Sequence, residues 1–300
     1  MVAFSRLLTG VLTFASASIA LAAPTGDAAL ITPAYLTCSA DTPPVANLPA
    51  SDESKLKANT PATPTPKQIV NVYWNIIYID FAWAGGFVSR AQISDAMNTL
   101  NTYYTSTMTF KLARIYYHAS AEWFHKADNE AGNALTTAMK KLLHQGTAKD
   151  LNIYSVGFSN SSLGGFATYP WWYTGAPELD GVVFKWNTIL GGTFPNYSHG
   201  KTLIHQVGHW AGLYHTFQGG CSDTEGDYVS DTPAQAEPGY GCPVNRDSCP
   251  GLAGLDPAYN YMASLGFRLP PISMKLLTLN ARTMAMMIAR SGSLLAKLRA

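Results

Sequence analysis

The 300-residue chain carries 20 Lys and Arg residues against 19 Asp and Glu residues, a formal net charge of +1. That balance excludes an electrostatic case for nucleic-acid binding, which depends on a strongly basic surface. The length is more than enough to bury a core without metals or disulfides, as one large domain or as two lobes.

The first 22 residues have the pattern of a secretory signal. Arg6 precedes an apolar run from Leu7 to Ala20, and small residues at Ala20-Leu21-Ala22 fit a cleavage site. The alternative is a membrane anchor, but the run is short for a span and polar residues interrupt it. We therefore expect residues 1–22 to be a signal peptide and the protein to be secreted and extracellular.

Two sequons, at Asn160 and Asn196, are compatible with glycosylation on the secretory route. Such triplets are common by chance, so they add little to the case for secretion. Glycosylation at both positions is nevertheless the expectation for an extracellular protein.

Residues 23–67 are expected to be a propeptide or linker. The stretch from 39 to 67 is rich in Pro, Thr, Ser and Ala. Such a composition cannot bury enough apolar area to fold alone. We therefore expect folded structure to begin at Gln68.

From Gln68 onward the pattern alternates between strands and helices. Apolar spacing, turn residues and the plausible N-cap Ser89 predict these elements in order: a strand at 69–80, a helix from Ser89 to 104, a strand at 108–119, a helix at 129–146 closed by Gly146, a strand at 150–158, a short edge strand at 163–170 (LGGFATYP), a strand at 181–186, and a helix from about Gly200. This order predicts a mixed α/β upper lobe over residues 68–215. Residues 216–300 begin loop-rich, with many Gly, Pro and Asp, and predict a second, irregular lobe.

Residues 205–215 read HQVGHWAGLYH and have the spacing of metal ligands. His205 and His209 are four residues apart, so they share one face of a helix. Gly212 allows a sharp turn that brings His215 back as a third nitrogen ligand. Three protein ligands leave a fourth tetrahedral position open, as in a catalytic rather than a structural zinc site. The alternative, three unrelated surface histidines, is improbable at this spacing.

Gln206 occupies the position where such a motif carries a glutamate that acts as the general base. A glutamine has nearly the same shape, but it has no basic lone pair at neutral pH. We therefore expect zinc binding to survive and proton transfer at this position to be lost.

The motif HQVGHWAGLYH, followed by TFQGGC, YVSDTPAQ, RDSC and NYM, resembles the pappalysin-like metzincins and in particular their secreted fungal branch, over residues 68–262. The resemblance implies an α/β (α+β) fold of two lobes, with a mixed sheet, a zinc helix and an irregular C-terminal lobe. It implies that His205, His209 and His215 bind zinc and that Met262 forms the Met-turn below the metal. Members of the family hydrolyse peptide bonds through zinc-bound water.

For this chain, the resemblance implies a zinc metalloendopeptidase that acts on extracellular proteins, and we expect it to be a monomer. An extended polypeptide substrate would pair with the edge strand at 163–170. Some relatives also bind calcium near the DTP segment, where Asp227, Asp231 and Thr232 are the candidate ligands. The alternative is an acidic turn that is only solvated. The resemblance also implies a disulfide between Cys221 and Cys249.

Cys38 has two interpretations that the sequence leaves open. Its position resembles that of a propeptide cysteine that caps the zinc and keeps the zymogen silent, and a thiolate is a good zinc ligand. The surrounding TCSAD lacks the glycine that usually follows such a cysteine. The other interpretation is a disulfide, for instance with Cys242, in a secreted chain with four cysteines.

Three features depart from the family pattern: Gln206, the pair Ala263-Ser264 after the Met-turn, and the tail beyond it. Residues 257–300 carry six basic residues and no acidic residue. The tail is either a fault in the reading of the gene or a basic helix, for which membrane contact is the less favoured role. We expect a metalloendopeptidase with much reduced activity; the alternative is a catalytically dead pseudoprotease that binds peptides or proteins.

Overall fold

The structure is a computed structural model, and it describes residues 36–38, 67–105, 108–159, 161–222, 224, 226–229, 232–239 and 245–263. All of them fall within one compact unit, Tyr35–Ala300. The expected signal peptide, most of the expected propeptide and the basic tail lie outside the described residues, as do Asn160, Asp231 and Cys242.

A six-stranded mixed sheet organises the fold. Its strands are β1 (Thr37–Cys38), β2 (Gln68–Tyr78), β3 (Met108–Ala119), β4 (Asp150–Val156), β5 (Leu163–Ala167) and β6 (Val182–Lys185). Their order across the sheet is β1-β5-β6-β4-β2-β3. β5 runs antiparallel to β6, and every other neighbouring pair is parallel.

Within the described residues, four α-helices flank the sheet: α1 (Arg90–Tyr103), α2 (Ala121–Lys126), α3 (Asn133–Leu143) and α4 (Lys201–Trp210). Short 3-10 helices occur at Trp83–Gly85, Pro170–Gly175, Pro177–Leu179 and Trp186–Thr188. α1 begins as the sequence predicts, because the Ser89 side chain accepts a hydrogen bond from the Gln92 backbone while the Gln92 side chain accepts one from the Ser89 backbone. This reciprocal pair is a capping box, which satisfies two backbone donors at the helix start.

The two faces of the sheet carry two separate apolar clusters. One face packs against α1 and α4, with Trp74, Ile93 and Trp210 among its fully buried side chains. The other packs against α2 and α3, through residues such as Phe124 and Met139. α4 contacts β5 and β6, so the sheet sets the position of the helix that carries the histidine motif.

Two expectations about the sheet are wrong. LGGFATYP does not form an edge strand, because β5 lies between β6 and β1. Ordered structure also does not begin at Gln68, because Thr37 and Cys38 form β1 within the stretch expected to be propeptide or linker. Both errors have one cause: β1 is stabilised by its partner strand and not by its own composition.

The helix expected at 129–146 is shorter than the sequence indicates. α3 begins at Asn133, and His144 rather than Gly146 is its C-cap. Between Ala211 and Ala263 the described residues form turns and loops with no helix or strand, as expected for the irregular segment. No helix within the described residues is long and apolar enough to cross a membrane.

Candidate metal centre

Three histidines converge at the C-terminal half of α4 and the loop after it. Every residue of α4 from Thr202 to Trp210 is buried, and the rings of His205 and His209 lie with centroids 4.6 Å apart. Gly212 adopts a φ of 97°, a conformation that favours glycine, and turns the chain back. His215 thereby comes within 4.6 Å of His209 and 5.2 Å of His205, measured between ring centroids.

Backbone carbonyl oxygens fix the orientation of two of the imidazoles. His205 Nδ1 lies 2.6 Å from the carbonyl oxygen of Tyr261, and His209 Nδ1 lies 2.8 Å from that of Leu213. A carbonyl oxygen only accepts, so each Nδ1 carries the proton and donates it. Each Nε2 is therefore left with a lone pair that points into the site, as a metal ligand requires.

Burial keeps all three imidazoles neutral. Burial, and after it the neighbouring His215, lowers the pKa of His205 to about 3, although the hydrogen bond to Tyr261 opposes this change. Burial also lowers the pKa of His215 to about 4 and that of His209 well below its ordinary value. A neutral imidazole is the form that binds zinc.

The donor set fits a zinc ion. The Nε2 atoms of His205 and His209 lie 2.9 Å apart, and with both Nδ1 atoms protonated their lone pairs face each other. This arrangement is repulsive unless a cation lies between the nitrogens. The ligand atoms of Cys38 and the three histidines all lie within 4.8 Å of one another, and together they offer the nitrogen and sulfur ligands that Zn²⁺ prefers.

Cys38 forms no disulfide within the described residues, and its sulfur lies in the same site as the three histidines. Cys38 Sγ lies 3.3 Å from His209 Nε2. β1 carries it there by pairing in parallel with β5, where Cys38 is opposite Gly165. The neighbouring Leu36 is buried, and its backbone N–H donates to the hydroxyl of Tyr197 at 2.8 Å.

Gln206 lies beside the histidines and is fully buried. Its side-chain Nε2 donates to Cys38 Sγ at 3.2 Å. Its Oε1 is buried and accepts no hydrogen bond from the described residues. Gly165 lets β5 pass close to it, since a Cβ at that glycine would lie 3.0 Å from Gln206 Cγ and 2.8 Å from the carbonyl oxygen of Val183.

The segment that contains Met262 packs against the histidine motif. Met262 is fully buried in the same apolar cluster as α4, and its backbone N–H donates to Asn260 Oδ1 at 2.9 Å. Its carbonyl oxygen accepts from the backbone N–H of Thr216, just beyond His215. The turn that the sequence predicts below the metal thus connects to both the helix and the loop.

Of the other predicted sites, the structure contains the disulfide but does not test the calcium and glycosylation sites. A disulfide joins Cys221 to Cys249, the pair that the family resemblance implied. Asp227 Oδ1 accepts from the backbone N–H of Val229, and Asp231 lies outside the described residues, so the calcium site with Thr232 stays a prediction. Glycosylation at the exposed Asn196 also stays a prediction.

Several residues that shape the site carry no signal in the sequence. The carbonyl groups of Leu213 and Tyr261 orient imidazoles, yet any residue type supplies a carbonyl. Tyr169 packs its ring edge-on to His209, with centroids 5.6 Å apart. Tyr197 anchors β1 through a hydroxyl that only the folded chain brings to Leu36.

Residues 144–264 match the peptidase M43 family model, described as "Pregnancy-associated plasma protein-A". The chain is 42% identical over 201 residues to an extracellular metalloprotease of Verticillium alfalfae, covering 64% of this chain and 67% of the relative. It is 41% identical over 203 residues to an extracellular metalloprotease of Sordaria macrospora, covering 64% and 66%. The chain belongs to the pappalysin, or M43, family of metallopeptidases. The alignments span about two thirds of the relatives' length.

Solved structures show the same fold. A mutant of Tannerella forsythia promirolysin superposes with a TM-score of 0.62 at 21% identity, covering 82% of this chain and 88% of that one. Mature mirolysin in complex with a cleaved peptide gives 0.58 at 20% identity, covering 78% and 96%. The metzincin-like mixed α/β fold is thereby confirmed, and family membership together with the histidine cluster supports zinc as the metal.

Proposed function

We propose that this M43 chain is a secreted zinc metalloendopeptidase with the scaffold of its family. We propose further that Gln206 strongly reduces its turnover on extracellular proteins. His205, His209 and His215 hold the zinc. The observation that carries the proposal is the fully buried Gln206 amide beside three neutral, oriented imidazoles. Secretion is supported by the names of the relatives, which are extracellular metalloproteases.

The chemistry separates metal binding from proton transfer. When bound, zinc acidifies water and polarises the carbonyl group of a peptide bond. A residue at position 206 must then accept a proton, and an amide cannot do so at neutral pH. General-base catalysis contributes about 10²- to 10⁴-fold, so the loss falls on turnover while the imidazole ligands are untouched.

Substrate would approach along β5. An extended polypeptide forms backbone hydrogen bonds with a strand whose neighbouring side is open. In this structure β1 takes that side of β5, with Cys38 opposite Gly165. Segment 36–38 must therefore leave before an extended polypeptide binds, which supports the role of Cys38 as a zymogen switch.

Hydrolysis of labelled, denatured casein by the zinc-loaded full chain tests the proposal. The comparison uses a Cys38→Ala background, so that the thiol does not block the site, with and without Gln206→Glu. We expect the added glutamate to raise the hydrolysis rate by about 100-fold or more. The matched control is Gln145→Glu, which changes an exposed glutamine to the same residue and should leave the rate unchanged.

The second candidate function is a pseudoprotease that binds peptides without cutting them. This candidate is favoured because Gln and Glu have nearly the same shape, so that a glutamine at position 206 leaves the shape of the peptide-binding cleft unchanged. Peptide binding by the Cys38→Ala chain, with no cleavage either by that chain or by the same chain with Gln206→Glu, would support it. Cleavage by the Cys38→Ala chain at a rate similar to that of the double variant would instead show that position 206 is not the base.

A further inference from the structure

We propose that Gln206 holds Cys38 in place as the fourth zinc ligand, so that the resting site is a closed set of one thiolate and three imidazoles. The proposal rests on the zinc site put forward above, but it does not depend on peptide hydrolysis. It gives the substituted residue a positive role: the amide that cannot act as a base stabilises the latent state.

The side chain presents a donor to the sulfur. Gln206 Nε2 lies 3.2 Å from Cys38 Sγ, which in turn lies 3.3 Å from His209 Nε2. A thiolate is the form of cysteine that binds zinc, and it accepts hydrogen bonds. An ionised carboxylate at the same place would offer only acceptor lone pairs. It would place a negative charge beside the sulfur where the amide places a donor.

Packing holds the amide in this orientation. Gln206 is fully buried on α4, and β5 passes over it at Gly165, where even a Cβ would lie 3.0 Å from Gln206 Cγ. Because β1 pairs with β5 at this glycine, no side chain of β5 at position 165 separates the amide from the cysteine. The donor and the sulfur are therefore brought together by three elements at once.

The cysteine is also anchored through contacts that involve no metal. Leu36 is 4% exposed and packs with Tyr197, whose hydroxyl accepts a hydrogen bond from the Leu36 backbone. The backbone N–H of Thr37 donates to the carbonyl oxygen of Ser162 at 2.8 Å. These contacts position the sulfur, and the Gln206 amide then donates a hydrogen bond to it.

The rate at which iodoacetamide alkylates Cys38 in the zinc-loaded full chain tests this role. Mass spectrometry of the digested protein reads Cys38 separately from Cys242. We expect alkylation to be about 10- to 100-fold faster in Gln206→Glu, the effect of losing one hydrogen bond to a charged group. Gln206→Leu, which removes the donor without adding charge, should also be faster. Gln145→Glu is the control and should match the natural chain.

Cobalt(II) substitution gives a second readout that needs no activity. The natural chain should show a sulfur-to-cobalt charge-transfer band, which weakens in both Gln206 variants and is absent in Cys38→Ala. If Gln206→Leu binds one zinc per chain and alkylates at the natural rate, the hydrogen bond contributes nothing and the proposal is wrong. Absence of hydrolysis by the Gln206→Glu, Cys38→Ala chain would contradict only the proposed peptidase function, and not the role of Gln206 in holding Cys38.

Discussion

At the scale of single residues, the side chains that would bind a metal are distinct from the side chain at the position of the general base. His205 and His209 each donate from Nδ1 to a backbone carbonyl, which leaves Nε2 free to face a cation. Gln206 lies between them in sequence and is equally buried, yet it contributes no ligand to the group. Zinc affinity should therefore depend on the histidines and not on the base position.

Replacing one of these imidazoles should abolish zinc binding. Even the loss of an outer hydrogen-bond partner typically costs 10- to 100-fold in metal affinity, and the loss of a ligand costs more. We expect His209→Ala to lower zinc from about one ion per chain to near zero after dialysis against a weak chelator, as measured by elemental analysis. His199→Ala, at an exposed histidine before α4, is the control and should retain zinc. Equal retention by both variants would remove His209 from the ligand set.

The histidine spacing was predictable because a helix fixes which residues share a face. Positions 205 and 209 are one turn apart, and Gly212 marks the turn that returns His215. The groups that orient the rings were not predictable, because they are backbone carbonyls of Leu213 and Tyr261. The contact between Gln206 and Cys38 was also hidden, since 168 positions separate the two residues.

At the scale of elements, β1 shows how a strand forms without a strand-like sequence. Its two residues pair with β5, and neighbouring Leu36 fills an apolar site beside Tyr197. β2 and β3 could be located from their branched and aromatic residues, and α1 from Ser89. β1 could not, because its stability comes from long-range partners that composition does not record.

The Tyr197 hydroxyl should be important for keeping β1 in place. Tyr197→Phe removes the acceptor for the buried Leu36 N–H, and an unsatisfied buried donor costs about 1–3 kcal/mol. We expect faster hydrogen exchange at Leu36 and Thr37 in this variant, measured by mass spectrometry of the N-terminal peptides. Tyr116→Phe, on β3 at the opposite edge of the sheet, is the control. Unchanged exchange in Tyr197→Phe would mean that strand pairing alone holds the segment.

At the scale of the whole molecule, the metal centre joins parts of the chain that are distant in sequence. α4 contributes His205 and His209, and the loop after it contributes His215. Tyr261 adds a third segment, because its carbonyl oxygen accepts a hydrogen bond from His205. Burying three imidazoles at this junction has a consequence for stability, because each must stay neutral for the segments to remain packed.

The metal-free protein should lose stability in mild acid. Burial lowers the pKa of His205 to about 3 and of His215 to about 4, whereas an unfolded histidine has a pKa of about 6.5. As the pH falls below about 6.5, the unfolded state binds protons first. The stability is therefore complete above that pH and declines as the pH falls toward the folded-state values.

Urea unfolding of the chelator-treated protein at about pH 7.5 and about pH 5 measures this decline. The double variant His205→Gln, His215→Gln should show a smaller difference between the two pH values. His118, whose pKa is also lowered by burial, is present in both proteins and its effect cancels. Equal differences in the two proteins would show that these imidazoles do not control the acid sensitivity.

If the chain is the latent peptidase proposed above, the pairing of β1 with β5 determines how its latency responds to protein concentration. In the proposed function, segment 36–38 and an extended polypeptide would compete for the same side of β5, but the segment belongs to the chain that it would block. An inhibitor carried on its own enzyme has a fixed effective concentration. Dilution would therefore not release the segment. If the proposed function is right, only cleavage between the segment and the rest of the chain, or a chemical change at the Cys38 sulfur, would convert the latent form into one that binds other polypeptides.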